Sequence, residues 1–121
     1  MAAYHTDLVK KTEENKYFRE VLFTSQLIQL VVMSLEHGED LGLETYLDTD
    51  QFISIENGNG KAIIDGLVYE LKSGSALVIP AGTEYNIINN SATETLKFYT
   101  VTIPPDYASG TIHKTKAEGA A

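Results

Sequence analysis

Apolar and polar positions alternate in short runs along most of this chain, and no stretch holds a helical period for long. Gln51 to Glu56 places Gln51, Ile53 and Ile55 on one side of a strand and Phe52 and Ser54 on the other. Glu84 to Ile88 and Leu96 to Ile103 alternate in the same way, and Leu41 to Tyr46, Lys61 to Asp65, Leu67 to Leu71 and Ser75 to Ile79 predict shorter strands. Gln26 to Leu35 differs. There Ile28, Leu30 and Val32 fall on one face and Leu27, Val31 and Met33 on the other, so both faces are apolar. A strand buried on both faces needs a barrel interior on one side and a further layer on the other. In so short a chain, the expected further layer is a partner subunit. Residues 8 to 23 mix Lys10, Lys11, Glu13, Glu14 and Lys16 with Tyr17, Phe18, Val21 and Phe23, which predicts a turn or short helix leading into an edge strand.

Turn signals punctuate these runs roughly every 8 to 12 residues, the spacing of an antiparallel sandwich or barrel. His37-Gly38-Glu39-Asp40 and Leu47-Asp48-Thr49-Asp50 are two of them. Asn57-Gly58-Asn59-Gly60 predicts a hairpin, because Asn and Gly accept the positive φ that tight hairpins require. Gly66 marks a second hairpin, and Pro80-Ala81-Gly82 a tight corner. Pro104-Pro105 ends the last long strand, since proline donates nothing to a ladder. The pattern predicts one all-β domain. Residues 1–25 form an arm and edge strand, 26–103 the barrel, and 104–121 a tail that packs loosely or crosses to a neighbour. No solenoid-length repeat or low-complexity segment interrupts it.

Two spacings sharpen the fold. Residues 38 to 58 read Gly38-x5-Glu44-x-Tyr46-x4-Gln51-x6-Gly58, and residues 74 to 89 read Gly74-x5-Pro80-x-Gly82-x2-Tyr85-x3-Asn89, with fifteen residues between Gly58 and Gly74. These resemble the paired motifs of the cupin superfamily, and the resemblance runs from about Gln26 to Ile103. It implies an antiparallel double-stranded β-helix, the jelly-roll barrel. The frame residues have structural reasons of their own: the glycines turn the backbone, Pro80 pre-sets φ, and Asn89 bonds its own turn with Asn90 and Ser91.

In the family the four chemical slots of the motifs usually hold His, His, Glu and His around a divalent metal. Here they hold Glu44, Tyr46, Gln51 and Tyr85. Alternation sets Glu44 and Tyr46 on one face, Gln51 in phase with Ile53 and Ile55, and Tyr85 in phase with Ile87. The resemblance implies that all four point into the barrel. Carboxylate, amide and phenolate oxygens suit hard cations, but tyrosine must first lose a proton with a reference pKa near 10. His5, His37 and His113 all lie outside the slots, where packing or surface roles are expected.

A metal-free pocket of this kind suits proton transfer. Glu44 is the expected base, and Tyr46 and Tyr85 the expected donors to an oxyanion. Gln51, Ile53, Ile87 and Phe98 are the expected substrate contacts. The reading is an isomerase or lyase acting on a small carbonyl compound, with no cofactor. Two alternatives stand beside it. One is a non-catalytic ligand-binding or structural cupin, with the tyrosines filling the pocket as a satisfied network. The other is a metalloprotein using Glu44, Gln51 and Tyr46 or Tyr85.

Composition acts mainly by exclusion. The 121 residues carry 9 basic and 17 acidic side chains, a formal net charge of −8 with no basic cluster, which argues against nucleic acid or anionic membrane as partner. Cysteine is absent, so disulfides, thiolate ligands and a thiol nucleophile are excluded. Met1 to Asp7 lacks the basic and apolar regions of a signal peptide, and no apolar run approaches the roughly 18 residues that span a bilayer. A cytoplasmic protein is expected. Gly58-Asn59-Gly60 opens a strand and not a helix, which removes a dinucleotide loop, and Gly74-Ser75-Ala76 lacks the second glycine of a nucleophile elbow. Asp48 and Asp50 read as loop caps before calcium ligands, and Glu84 and Glu94 as solvated. Apolar Tyr99, Val101 and Ile103, together with the Gln26 to Leu35 strand, predict a homodimer.

Overall fold

The alternating runs become ten strands and two short helices in a computed structural model, which describes residues 2–120. Helix α1 (Leu8–Glu14) starts at Asp7, whose Oδ1 accepts from the Lys10 amide at 3.1 Å. Strands β1 (Arg19–Thr24) and β2 (Gln29–Leu35) follow as an antiparallel pair. Next come β3 (Glu44–Thr45), β4 (Asp50–Asn57), β5 (Gly60–Ile64), β6 (Leu67–Leu71), β7 (Ala76–Ile79), β8 (Glu84–Ile88) and β9 (Leu96–Ile103). Strand β10 (Ile112–His113) and α2 (Lys116–Ala120) close the chain. A six-stranded sheet runs β10-β1-β2-β9-β4-β7 and a four-stranded sheet runs β3-β8-β5-β6, every pair antiparallel. This is the jelly-roll arrangement that the cupin resemblance implies.

Side-chain alternation fills the space between the sheets. Met33, Leu35, Ile53, Ile55, Leu96 and Phe98 from the larger sheet meet Ala62, Leu71, Tyr85 and Ile87 from the smaller one. Asp65 (φ 49°) and Gly66 (φ 80°) make the two-residue turn of the β5–β6 hairpin, where both central positions need positive φ. No helix among the described residues is long and apolar enough to cross a membrane.

Three expectations change. First, the doubly apolar strand begins at Gln29. Leu27, 67% exposed, and Ile28 belong to the turn after β1, where the Ser25 amide bonds the Ile28 carbonyl at 2.8 Å. Over Val32 and Ser34 the further layer lies within the chain itself. Both are buried in the monomer, α1 lies against β9, β4 and β2, and Lys97 Nζ donates to the Glu13 carbonyl at 2.8 Å.

Second, Asn57 to Gly60 is not a hairpin. It carries the chain from β4 in one sheet to β5 in the other. Gly58 (φ 91°) passes the Thr95 carbonyl so closely that any Cβ would collide with it, so the glycine serves a crossing between sheets. Third, the tail after Pro105 is ordered against its own barrel. β10 pairs with β1, with Arg19 opposite His113, and the Phe18 and Val21 amides donate to the Lys114 and Thr111 carbonyls at 3.2 and 2.9 Å. Residues 104–115 therefore form a strap along the β1 edge of the larger sheet.

Candidate functional site

All four slot residues line one cavity. Short β3 sets Glu44 directly opposite Tyr85 on β8, and the start of β4 sets Gln51 between Ile79 and Thr102. The corner after β7 fixes the loop that carries Tyr46, because the Gly82 amide donates to the Tyr46 carbonyl at 2.8 Å and the Ala81 amide to Asp50 Oδ1 at 2.7 Å. Asp50 is thus the loop cap that its position suggests. Gln51 Nε2 donates to the Tyr85 hydroxyl at 2.7 Å, leaving that hydroxyl's own proton for another acceptor. The Tyr46 and Tyr85 rings lie 6.3 Å apart between centroids. Ile53 joins this wall, whereas Ile87 and Phe98 face the interior as alternation requires but sit fully buried away from the cavity.

Three residues that the sequence reading missed complete the site. Tyr107, from the strap, brings its hydroxyl within 2.8 Å of the Tyr46 hydroxyl. Gln29, wholly buried at the start of β2, pins this segment. Its Oε1 accepts from the Asp106 and Tyr107 amides at 3.2 and 3.0 Å, and its Nε2 donates to the Tyr107 carbonyl at 2.7 Å. Arg19 is the chain's only arginine and is 5% exposed. Its guanidinium lies 4.3 Å from the Tyr107 ring centroid and 5.0 Å from that of Phe18, and Nη1 donates to His113 Nδ1 at 2.9 Å. Arg19 Nε is buried with no partner among the described residues, and an orphaned buried donor costs about 1–3 kcal/mol. One signal for Arg19 was available: a lone arginine in phase with inward Val21.

Burial governs the ionisation of the phenols. It pushes Tyr46 and Tyr85 well above the ordinary tyrosine value and raises Tyr107 too; the Gln51 hydrogen bond at Tyr85 and the Arg19 charge at Tyr85 and Tyr107 only partly oppose it. At neutral pH the cavity therefore presents three protonated hydroxyls beside the half-buried Glu44 carboxyl. The enclosed space is about 10 Å³, room for one water at most.

A family model described as cupin domain matches residues 31–104. The chain belongs to the cupin family. It is 41% identical over 118 residues to the uncharacterized protein YrkC of Bacillus subtilis, a match covering 93% of this chain and 63% of that protein's length. An uncharacterized protein of Acanthamoeba polyphaga mimivirus is also 41% identical, over 112 residues, covering 90% of this chain and 70% of the relative. The chain thus spans a little under two thirds of the Bacillus relative. The crystal structure of BH2720 from Bacillus halodurans superposes with a TM-score of 0.96 at 34% identity, covering 99% of this chain and 96% of that one.

The divalent metal that cupin slots usually hold does not fit the residues here. Glu44 is the one carboxylate on the cavity wall, no histidine lines it, and the phenols resist the deprotonation that ligation needs. Among the described residues no three His, Cys, Asp or Glu side chains converge.

Proposed function

We propose that this cupin takes a small carbonyl compound into the polar half of its barrel and moves a proton on it, as an isomerase or lyase that uses no transition metal. The observation that carries this reading is the placement of Glu44 on one cavity wall with three phenols held in their protonated form. Glu44 takes the proton from the carbon next to the carbonyl. Negative charge then grows on the carbonyl oxygen, where the Tyr46 and Tyr85 hydroxyls donate to it. Gln51 holds Tyr85 at 2.7 Å in the orientation this needs, and Ile53 supplies apolar wall. A cavity of about 10 Å³ admits no such substrate, so the strap bearing Tyr107 moves aside for entry.

The test needs no known product. Small ketones, aldehydes and oxo acids are incubated with the protein in D₂O, and loss of the proton next to the carbonyl is followed by NMR. Wild type is expected to exchange at least one of them, and Glu44→Gln to do so about 10²–10⁴-fold more slowly. Equal rates in the two proteins would remove Glu44 as base.

A second reading, a binding or structural cupin without turnover, draws support from the same small cavity and the closed Tyr46–Tyr107 contact. It predicts no exchange across the whole panel. A homodimer accompanies either reading. Phe23, Leu30, Val101, Phe52 and Val78 form a cross-strand apolar row on the outer face of the larger sheet, with Val78 69% exposed. Light scattering at the monomer mass of 13.3 kDa would remove the dimer.

A further inference from the structure

We propose that Arg19 anchors a small carboxylate, which makes the ligand of this pocket an oxo acid or a related monoanion. Naming it as a substrate rests on the proton-transfer reading above; the binding claim stands on Arg19 itself. The guanidinium is a permanent charge enclosed by protein, yet Arg19 enters no ion pair among the described residues. Phe18 and Tyr107 offer it ring contacts, and His113 takes one N–H. None of the three brings a negative charge, and none accepts from Nε. An anion with an oxygen at the Nε edge would supply both the charge and the acceptor.

Space for that anion adjoins the guanidinium. Arg19, Leu41 and Glu44 form a wall shared by the inner cavity and an outer recess of about 110 Å³, which Phe18, Lys116 and Gly119 complete. The recess holds a ligand of a few heavy atoms. Gly119 keeps the approach clear, since a Cβ there would lie 3.1 Å from Arg19 Nη1 and 3.3 Å from His113 Nδ1. Lys116 adds a second cation, although Asp40 holds it at 2.7 Å.

The planar guanidinium fork matches a carboxylate, which can accept from Nε and a neighbouring Nη together. Glu44 on the same wall, and Asp106 close enough to feel the Arg19 charge, disfavour a dianion such as phosphate. A carboxylate seated on Arg19 lies beside Glu44, which lines the same recess. The two groups therefore divide the work: Arg19 holds the substrate and Glu44 acts on it.

One arginine in the chain means one arginine Nε–H signal in a ¹⁵N-correlated spectrum, so the folded wild-type protein reports on the site directly. Titration with acetate and pyruvate should move that signal saturably in the millimolar range, while the neutral isostere acetamide leaves it in place. Arg19→Lys, followed by calorimetry, should weaken pyruvate binding about tenfold or more. No movement with either acid, or equal movement with acetamide, overturns the anchor. Phosphate acting at lower concentration than acetate overturns the carboxylate class. Glu44→Gln should keep the shift. Lost exchange with an intact shift then condemns nothing about Arg19, and exchange without any shift sinks the anchor alone.

Discussion

The two ends of this barrel are made from the same strands and behave as different materials. At one end Leu35, Ile55, Ala62, Ile87, Leu96 and Phe98 are wholly buried and apolar. At the other, a few residues along those strands, stand Gln29, Gln51, Tyr85, Thr100 and Thr102, joined by Arg19, Glu44, Tyr46 and Tyr107. Register makes the division plain: on β4 and β9, Ile55 faces Phe98, whereas Gln51 faces Thr102. Dry packing supplies fold stability at the first end. The second gives up that packing for hydrogen bonds, leaves one guanidinium donor unpaired, and so holds the groups that can meet a ligand.

The largest effect expected from this contrast lies at the dry end. Phe98→Ala empties a fully buried site and should cost about 3–5 kcal/mol by denaturant unfolding. A loss under about 1 kcal/mol would mean that the apolar end is not the stability centre. The polar end should show itself through pH. Tyr46, Tyr85 and Tyr107 keep their protons more tightly in the fold than in the unfolded chain, so their contribution is fully present below pH 10. It is lost as pH rises beyond that, because the unfolded chain releases the protons first. Stability should therefore fall above pH 10, and the phenolate absorbance of these three tyrosines should appear together with loss of the sheet signal. Their ionisation in a folded barrel near pH 10 would contradict the burial of the site.

How far the sequence revealed each end follows from the range of the interactions. Strand alternation is local, so the inward positions of Ile53, Ile55, Tyr85 and Phe98 were legible, and the family resemblance, not alternation, implied that the four slots point into the barrel together. Depth along the barrel is not local. Alternation sends Ile87 and Phe98 inward without saying that they lie away from the cavity. Asn57 to Gly60 announced a turn, but positive φ does not say which sheets a turn connects. Tyr107 was hidden most deeply, because its place depends on Gln29, 78 residues earlier in the chain. Arg19 was half visible: its phase was readable, whereas its missing partner needed three dimensions.

Hydrogen exchange of the strap tests most directly whether the polar end is a pocket that opens or a solid part of the core. The account predicts that the Asp106 and Tyr107 amides, held among the described residues by Gln29 Oε1 alone, exchange through a local opening of lower free energy than the β4 and β9 amides. Gln29→Leu should speed those two amides further while leaving β4 and β9 protected. If the strap exchanges only when the whole barrel unfolds, with the same free energy as β4 and β9, the site does not open and the account fails.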